Sequence, residues 1–317
     1  MSLRDSPEIS IVIPTHNRWS LLSEGALRSA LGQEDVDHEV IVVDDGSTDA
    51  TAVGLAALDE PRLRVVRNAR PLGVAVARNA GIQAVLGEWV AFLDDDDLWS
   101  PHKLRRQLSV LQSSQASYVY SDIVVVDERQ GTRYELSAPE PEDLATRLLA
   151  RYMIPGGLSN VVVKTELVRG IGGFDEQLSM TADWDFWLRL ARAGKGARCS
   201  GVLLATRAHT GNMAVRSPWR ELIRDLDYFV DKHRSDGLSI DKPGFARYLA
   251  LQRHHGGKRL DASVRLLDLS LRYRRPRYAL QALGLLARRR EVVSRDGAPW
   301  APEPTWLVDL HGDRLEP

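Results

Sequence analysis

The apolar run Trp89-Val90-Ala91-Phe92-Leu93 ends in four consecutive aspartates, Asp94 to Asp97. No other feature of the chain restricts the fold so strongly. A short run that is apolar at every position reads as a buried strand. Ending it in four carboxylates concentrates negative charge at one strand end, which self-repels unless a cation sits there. Oxygen-only clusters suit hard divalent cations such as Mg²⁺ or Mn²⁺, and Mg²⁺ is usually held by one or two carboxylates plus substrate phosphates. The competing reading is a solvated acidic turn capping a helix that starts near Pro101.

The surrounding pattern favours the first reading. Strands are expected over residues 9–13, 39–43, 63–66, 89–93 and 118–126. Helical spacing falls between them, over 18–31, from Asp49 to about 58, over 73–86, and from Ser100 and Pro101 to about 112. Strands alternating with helices of this length give βαβ units and an α/β fold, a mainly parallel sheet flanked by helices. Ligands in such sheets bind at the carboxyl ends of the strands. Three polar clusters lie at such ends: Thr15-His16-Asn17-Arg18, Asp44-Asp45 and Asp94–Asp97.

Beyond 127 the pattern is less regular. A loop is expected at 139–142, a helix from 143 to about 152, a Gly-rich turn at 154–158 and a strand at 161–163. A second turn follows at 170–175, then a helix over 183–193 and a strand over 199–205. From Pro218 the spacing is helical to about Arg290, and the tail after Gly297 reads as loop.

Some chemistries are excluded at this stage. The single cysteine, Cys199, rules out an intrachain disulfide and any cysteine-based zinc cluster. No segment approaches the ~18 continuous apolar residues of a membrane span, and no leader pattern opens the chain. A cytoplasmic protein is therefore expected. No Gly-x-Gly-x-x-Gly follows a strand and no Gly-x-x-x-x-Gly-Lys occurs, so the Rossmann and P-loop fingerprints are missing. Phosphates would have to be neutralised another way, and a carboxylate-bound metal would do it.

The chain resembles the family 2 glycosyltransferases, which have the GT-A fold. The resemblance rests on Ile11-Val12-Ile13-Pro14-Thr15-His16-Asn17-Arg18, Val42-Val43-Asp44-Asp45-Gly46-Ser47-Thr48-Asp49, Gly73-Val74-Ala75-Val76-Ala77-Arg78-Asn79-Ala80-Gly81 and Phe92-Leu93-Asp94-Asp95-Asp96-Asp97-Leu98-Trp99. It continues in Gly172-Gly173-Phe174-Asp175 and Ala182-Asp183-Trp184-Asp185-Phe186-Trp187-Leu188-Arg189, and covers about residues 8–215. It implies a glycosyltransferase domain over 1–215, with a nucleotide-sugar half to about 126 and an acceptor half from 127. Residues 216–317 would then form a helical C-terminal region.

The resemblance also implies residue roles. Pro14, Thr15 and Asn17 would line the nucleotide pocket, with Arg18 at its rim. Asp45 would accept a hydrogen bond from the base, and Arg78 would lie near the nucleotide or diphosphate. Asp94-Asp95-Asp96 matches the Asp-x-Asp motif: Asp96 would bind Mn²⁺ or Mg²⁺, and Asp94 and Asp95 would hold ribose and sugar hydroxyls. Asp97 would support the turn. Asp183 matches the catalytic base, although the residue before it, often Glu, is Ala182 here. Asp185 is the rival base; in a helix it would lie ~200° round from Asp183. His209 matches a histidine that in some members reaches the metal or diphosphate. The implied reaction is inverting transfer from a nucleotide-diphospho-sugar, UDP- or dTDP-linked by preference with GDP open, to a glycan, glycolipid or small molecule.

Net charge is −1, yet residues 241–290 carry 13 Lys/Arg against 3 Asp/Glu, which leaves the rest of the chain at −11. Three readings stay open for this basic stretch: a solvated helix face, a peripheral patch for anionic membrane, or a homo-oligomer contact. Nucleic acid is not an expected partner, because no nucleic-acid module accompanies the charge. Two functional alternatives also stay open. One is a catalytically weak sugar-nucleotide-binding or scaffold protein. The other is a phosphatase using an Asp nucleophile in Asp44-Asp45-Gly46-Ser47-Thr48.

Overall fold

A computed structural model describes residues 6–127, 132–207, 217–287 and Leu307. Strand β1 (Ile9–Thr15) is buried along its whole length. It pairs in parallel with β2 (His38–Asp44) on one side and β4 (Trp89–Phe92) on the other, and β3 (Leu63–Arg67) extends the parallel set beyond β2. Ile9, Ile11, Val12 and Ile13 are all 0% exposed. Burying each such side chain contributes about 1.5–3 kcal/mol, and β-branched residues suit a pleated surface covered on both faces.

The intervening helices lie where the spacing predicts. Residues 19–31 form α1 (Trp19–Leu21), a π-helical segment (Leu22–Ala26) and α2 (Leu27–Leu31). α3 (Thr51–Ala56) and α4 (Val74–Ala84) follow β2 and β3.

The second half completes one nine-stranded sheet of order β3-β2-β1-β4-β8-β6-β9-β5, with β7 paired to β6. Its elements are β5 (Leu98–Trp99), α5 (Lys103–Ser114), β6 (Tyr118–Asp127), β7 (Thr132–Leu136), α6 (Leu144–Leu148), a 3₁₀ turn (Gly157–Asn160), β8 (Val162–Lys164), α7 (Thr165–Gly170), α8 (Ala182–Ala193) and β9 (Gly196–Arg207). Here the sheet is mixed. β8 is antiparallel to both β4 and β6, whereas β9 runs parallel to β6 with a bulge at Ser121/Asp122.

Four elements differ from the sequence expectation. The helix expected to start at Pro101 begins at Lys103, because Ser100 is fastened to the sheet: its N–H donates to Leu203 O and its carbonyl accepts from Gln33 Nε2 and Lys103 N. The helix expected to reach 152 stops at Leu148, whose carbonyl accepts from Trp184 Nε1. The short edge strands β5 and β7 have no periodic signal of their own, being set by pairing to β9 and β6.

Helices α9 (Trp219–Lys232), α10 (Lys242–His255), α11 (Arg259–Arg272) and α12 (Pro276–Ala287) enclose a core of Trp219, Leu222, Leu226, Leu249, Leu266 and Leu269. α9 joins this unit to the sheet. Its Phe229 ring lies 4.9 Å from that of Trp184 on α8. Its Asp225 accepts from the backbone N–H groups of Ser179, Met180 and Thr181 at the start of α8.

Candidate active site

Because β2, β1 and β4 are adjacent and parallel, their carboxyl ends open on one edge of the sheet. The first two ends are tied to each other. Asn17, at φ 54, accepts through Oδ1 from Thr48 N at 2.7 Å and Asp49 N at 3.2 Å, and its own N–H donates to Ser47 Oγ. Ser47 N donates to Asp44 Oδ1. Pro14 lies past the last β1–β4 pair, where its missing N–H breaks no ladder bond. Asp44 is 0% exposed and takes part in holding this turn. It therefore presents no nucleophile to solvent, which removes the geometric basis of the phosphatase alternative at that residue.

The four aspartates do not share one environment. Asp95 is 5% exposed, accepts from Thr15 Oγ1 at 2.8 Å and pairs with Arg18 at 2.7 Å. Burial raises its pKa to about 6, against the opposing pull of the Arg18 guanidinium. Arg18 also pairs with Asp96 at 2.8 Å, so it bridges two carboxylates. Asp97 is buried and bonded to Ser159. Burial, then the charges of Asp96 and Asp94, push its carboxyl well above the usual range. Asp94 and Asp96 are the more open pair, with side chains 33% and 20% exposed.

Arg78, on α4, joins this loop to α8. Its guanidinium is 4% exposed and reaches Asp94 at 2.7 Å and Asp183 at 2.6 Å. Burial works against its charge, but Asp183 and Asp94 outweigh it and hold the guanidinium firmly protonated. Asp183 also accepts from Leu158 N; burial raises its pKa, and Arg78 opposes that rise. Gly157 lets Asp183 approach. It sits at φ +54, and a Cβ there would lie 3.0 Å from Asp183 Oδ2. α4 is itself anchored to the Gly172–Asp175 turn, since Asn79 bonds both the N–H and the carbonyl of Phe174.

Asp185 has a different fate. It is 0% exposed and bonded by Arg189, Lys232 and His233. Burial would raise its pKa, but the His233 bond and the charge of Arg189 outweigh it and hold the carboxyl far below the usual range. It anchors α8 to α9. Trp187 and Trp99 are fully buried and Trp184 nearly so, which makes them packing residues rather than open stacking platforms.

Asp45 accepts from Asn68 Nδ2, Leu72 N and Gly73 N at 2.8–2.9 Å, ordering the 68–73 loop above the β2 end. The loop passes so close that a Cβ on Gly46 would lie 2.5 Å from the Arg70 carbonyl carbon. His16 bonds Asp45 O from the other side.

The structure thus brings together Thr15, Arg18, Arg78, Asp94, Asp95, Asp96 and Asp183, with Pro14, Asn17 and Asp45 shaping the neighbouring turn. His209 lies outside the described residues, as do the last three arginines of the basic stretch, Arg288, Arg289 and Arg290. Sequence reasoning missed Tyr152, whose hydroxyl is buried without a hydrogen-bond partner and lies 3.8 Å from the Cβ position of Gly157. The adjacent Gly-rich turn was the available signal. Among the described residues no three Asp, Glu, His or Cys side chains converge as a self-sufficient metal cage. A site of one or two carboxylates completed by substrate phosphates needs no such cage.

A family model described as Glycosyl transferase family 2 matches residues 10–167. An uncharacterized glycosyltransferase of Haemophilus influenzae is 31% identical over 228 residues, covering 71% of this chain and 76% of the relative. The uncharacterized glycosyltransferase YwdF of Bacillus subtilis is 32% identical over 208 residues, 62% of this chain and 74% of the relative. Among solved structures, S. aureus TarS in complex with UDP-GlcNAc superposes with a TM-score of 0.56 at 18% identity, over 87% of this chain and 80% of that one. Mannosyltransferase PcManGT from Pyrobaculum calidifontis, in complex with GDP-Man and Mn²⁺, gives 0.52 at 20% identity over 89% and 80%. At these identities the structural likeness is one of fold.

Proposed function

This chain belongs to glycosyl transferase family 2 and has the GT-A fold, and we propose that it moves a sugar from a nucleotide-diphospho-sugar to an acceptor hydroxyl with inversion, using Asp183 as general base. The observation that carries this is Arg78, which binds Asp183 and Asp94 at once and so holds the base beside the Asp94–Asp97 loop. Asp183 Oδ would take the acceptor proton as the acceptor oxygen bonds the anomeric carbon. The bond from that carbon to the diphosphate oxygen breaks, and the nucleoside diphosphate leaves. Burial suits the base to its task, because a raised pKa makes Asp183 a stronger proton acceptor while Arg78 keeps it ionised.

The donor set suits a divalent cation. Four carboxylates, Asp94, Asp95, Asp96 and Asp183, pair with two guanidinium groups, and the more open two of the Asp94–Asp97 loop, Asp94 and Asp96, are oxygen donors of the kind Mg²⁺ and Mn²⁺ take. We assign the metal to Asp96 with Asp94 beside it; when bound it would supply charge neutralisation to the diphosphate. Thr15, Asn17 and Pro14 would line the nucleoside side. A carboxylate offers about four acceptor sites. On Asp45 these serve Asn68 and Leu72 at Oδ1, and Gly73 and the longer 3.1 Å Leu72 bond at Oδ2; a base imide N–H, as in UDP or dTDP, would take the place of that longer bond. Tyr152 would meet the acceptor beside Asp183, where its unpartnered hydroxyl gains a hydrogen bond.

Calorimetric titration with UDP, dTDP and GDP, with and without Mn²⁺, tests the donor assignment. Asp183→Asn tests the base: donor affinity should hold while transfer falls by about 10²–10⁴. Transfer at the wild-type rate in that variant would remove Asp183 from the mechanism.

A further inference from the structure

The α11–α12 hairpin carries two features that packing does not explain. On α11, Leu260, Val264, Leu267 and Leu271 are 71%, 55%, 37% and 83% exposed. They recur at i, i+4, i+7 and i+11, which places them on one line of the helix. On α12, Leu280 and Leu283 are 71% and 56% exposed. The helices are antiparallel neighbours, since Arg259 at the start of α11 bonds the carbonyl of Leu286 near the end of α12. The connecting tip holds Arg272, Arg274, Arg275 and Arg277, all exposed and none in an ion pair among the described residues. Contiguous apolar exposure of this kind marks an interaction surface.

Beside the tip, α10 and α12 border a notch of about 400 Å³ lined by Asp241, Gly244, Arg247, Arg277, Tyr278 and Gln281. The guanidinium groups of Arg277 and Arg247 lie 5.4 and 5.9 Å from the Tyr278 ring centroid. Tyr278 is 1% exposed, and its hydroxyl is buried without a partner. The lining carries two guanidinium groups, Arg247 with its Nε on Gln281 and Arg277, against one carboxylate, Asp241, and this net positive charge suits a phosphate group.

We propose that the α11–α12 hairpin docks this protein onto a bilayer bearing anionic phospholipid, with Leu271 and Leu280 entering the interface, the tip arginines meeting headgroup phosphates, and the notch seating one of them. A soluble phosphate compound would leave the leucine stripes unexplained. An anionic bilayer satisfies both the apolar and the cationic groups. The assignment is independent of the catalytic reading.

The test is co-sedimentation of the full chain with phosphatidylcholine vesicles, with and without about a third phosphatidylglycerol. Binding should require the anionic lipid. Each arginine near such a surface is worth roughly fivefold, so losing three lowers partitioning about a hundredfold, and Arg274→Glu/Arg275→Glu/Arg277→Glu, which adds repulsion, should lower it by more than that. Leu271→Ser/Leu280→Ser, at exposed positions, should weaken it without altering thermal stability. A polarity-sensitive dye on Leu271→Cys should shift to the blue on vesicles, while one on Val53→Cys, at the exposed face of α3, should not. Equal binding to neutral vesicles, indifference to the charge reversals, or no vesicle binding with Leu271-dependent self-association would overturn the proposal.

Discussion

Replacing Arg78 with Met keeps most of the side-chain volume and removes the cation between Asp94 and Asp183. Removing one partner of a buried ion pair costs ~3–5 kcal/mol, because a buried charge is left uncompensated. Here the guanidinium is 4% exposed but the carboxylates are 33% and 27% exposed, so water screens part of the loss and the lower end applies, about 3 kcal/mol. With an unfolding entropy of about 2.1 cal/mol/K per residue, a 317-residue chain would melt roughly 4–5 °C lower. The pH dependence separates charge from packing. Burial already holds the Asp183 pKa above its unfolded value, and losing Arg78 raises it further. The folded variant then binds more protons than the unfolded chain, so its stability falls as pH rises through that window. The deficit against wild type should be full at pH 8 and shrink as the pH approaches the ordinary carboxylate range near ~4. What remains there is lost packing on the Phe174 ring, which Arg78 covers at 5.3 Å. Urea titrations followed by tryptophan fluorescence at several pH values measure both quantities. A deficit under about 1 kcal/mol at pH 8, or one unchanged on acidification, would refute the ion-pair account.

Two further outcomes are expected. Tyr152→Phe should leave stability within about 0.5 kcal/mol, because the hydroxyl has no protein partner, yet lower kcat/KM for the acceptor roughly 3–10-fold; unchanged acceptor kinetics would remove Tyr152 from the site. Asp225→Ala should destabilise by about 3 kcal/mol and reduce transfer, since it strips the acceptor from Ser179, Met180 and Thr181 at the start of the helix bearing Asp183; full activity with lowered stability would show that the base is positioned from elsewhere.

The half built on β1 to β4 was legible in the sequence because its parts are local. Each strand and the polar cluster after it are contiguous, and parallel pairing of adjacent strands brings Thr15, Asp44 and the Asp94–Asp97 loop to one edge without further information. The opposite roles of Asp183 and Asp185 were half legible. Helical spacing separates the two faces, but only the end of α9, with Lys232 and the following His233, decides which carboxylate is buried in ion pairs. β8 was visible as a strand, whereas its antiparallel insertion between β4 and β6 was not, because its three-residue run carries no direction. Tyr152 gave only an indirect signal, the Gly-rich turn beside it: an aromatic after a short helix looks like packing until its hydroxyl is found without a partner among the described residues. The basic C-terminal stretch was visible as charge, but the exposed leucine lines beside it depend on which helix faces the bundle covers.

The sequence by itself determined the α/β alternation, the buried parallel strands and the acidic loop, since these follow from residue type and period along continuous chain. The tertiary structure alone decided which charges meet. Arg78 and Asp183 stand 105 residues apart, and their contact depends on Asn79 clamping the Phe174 turn, on Gly157 leaving room at the carboxylate, and on α9 fixing α8 from behind. Such pairings come from packing distant elements together, and no local spacing encodes them.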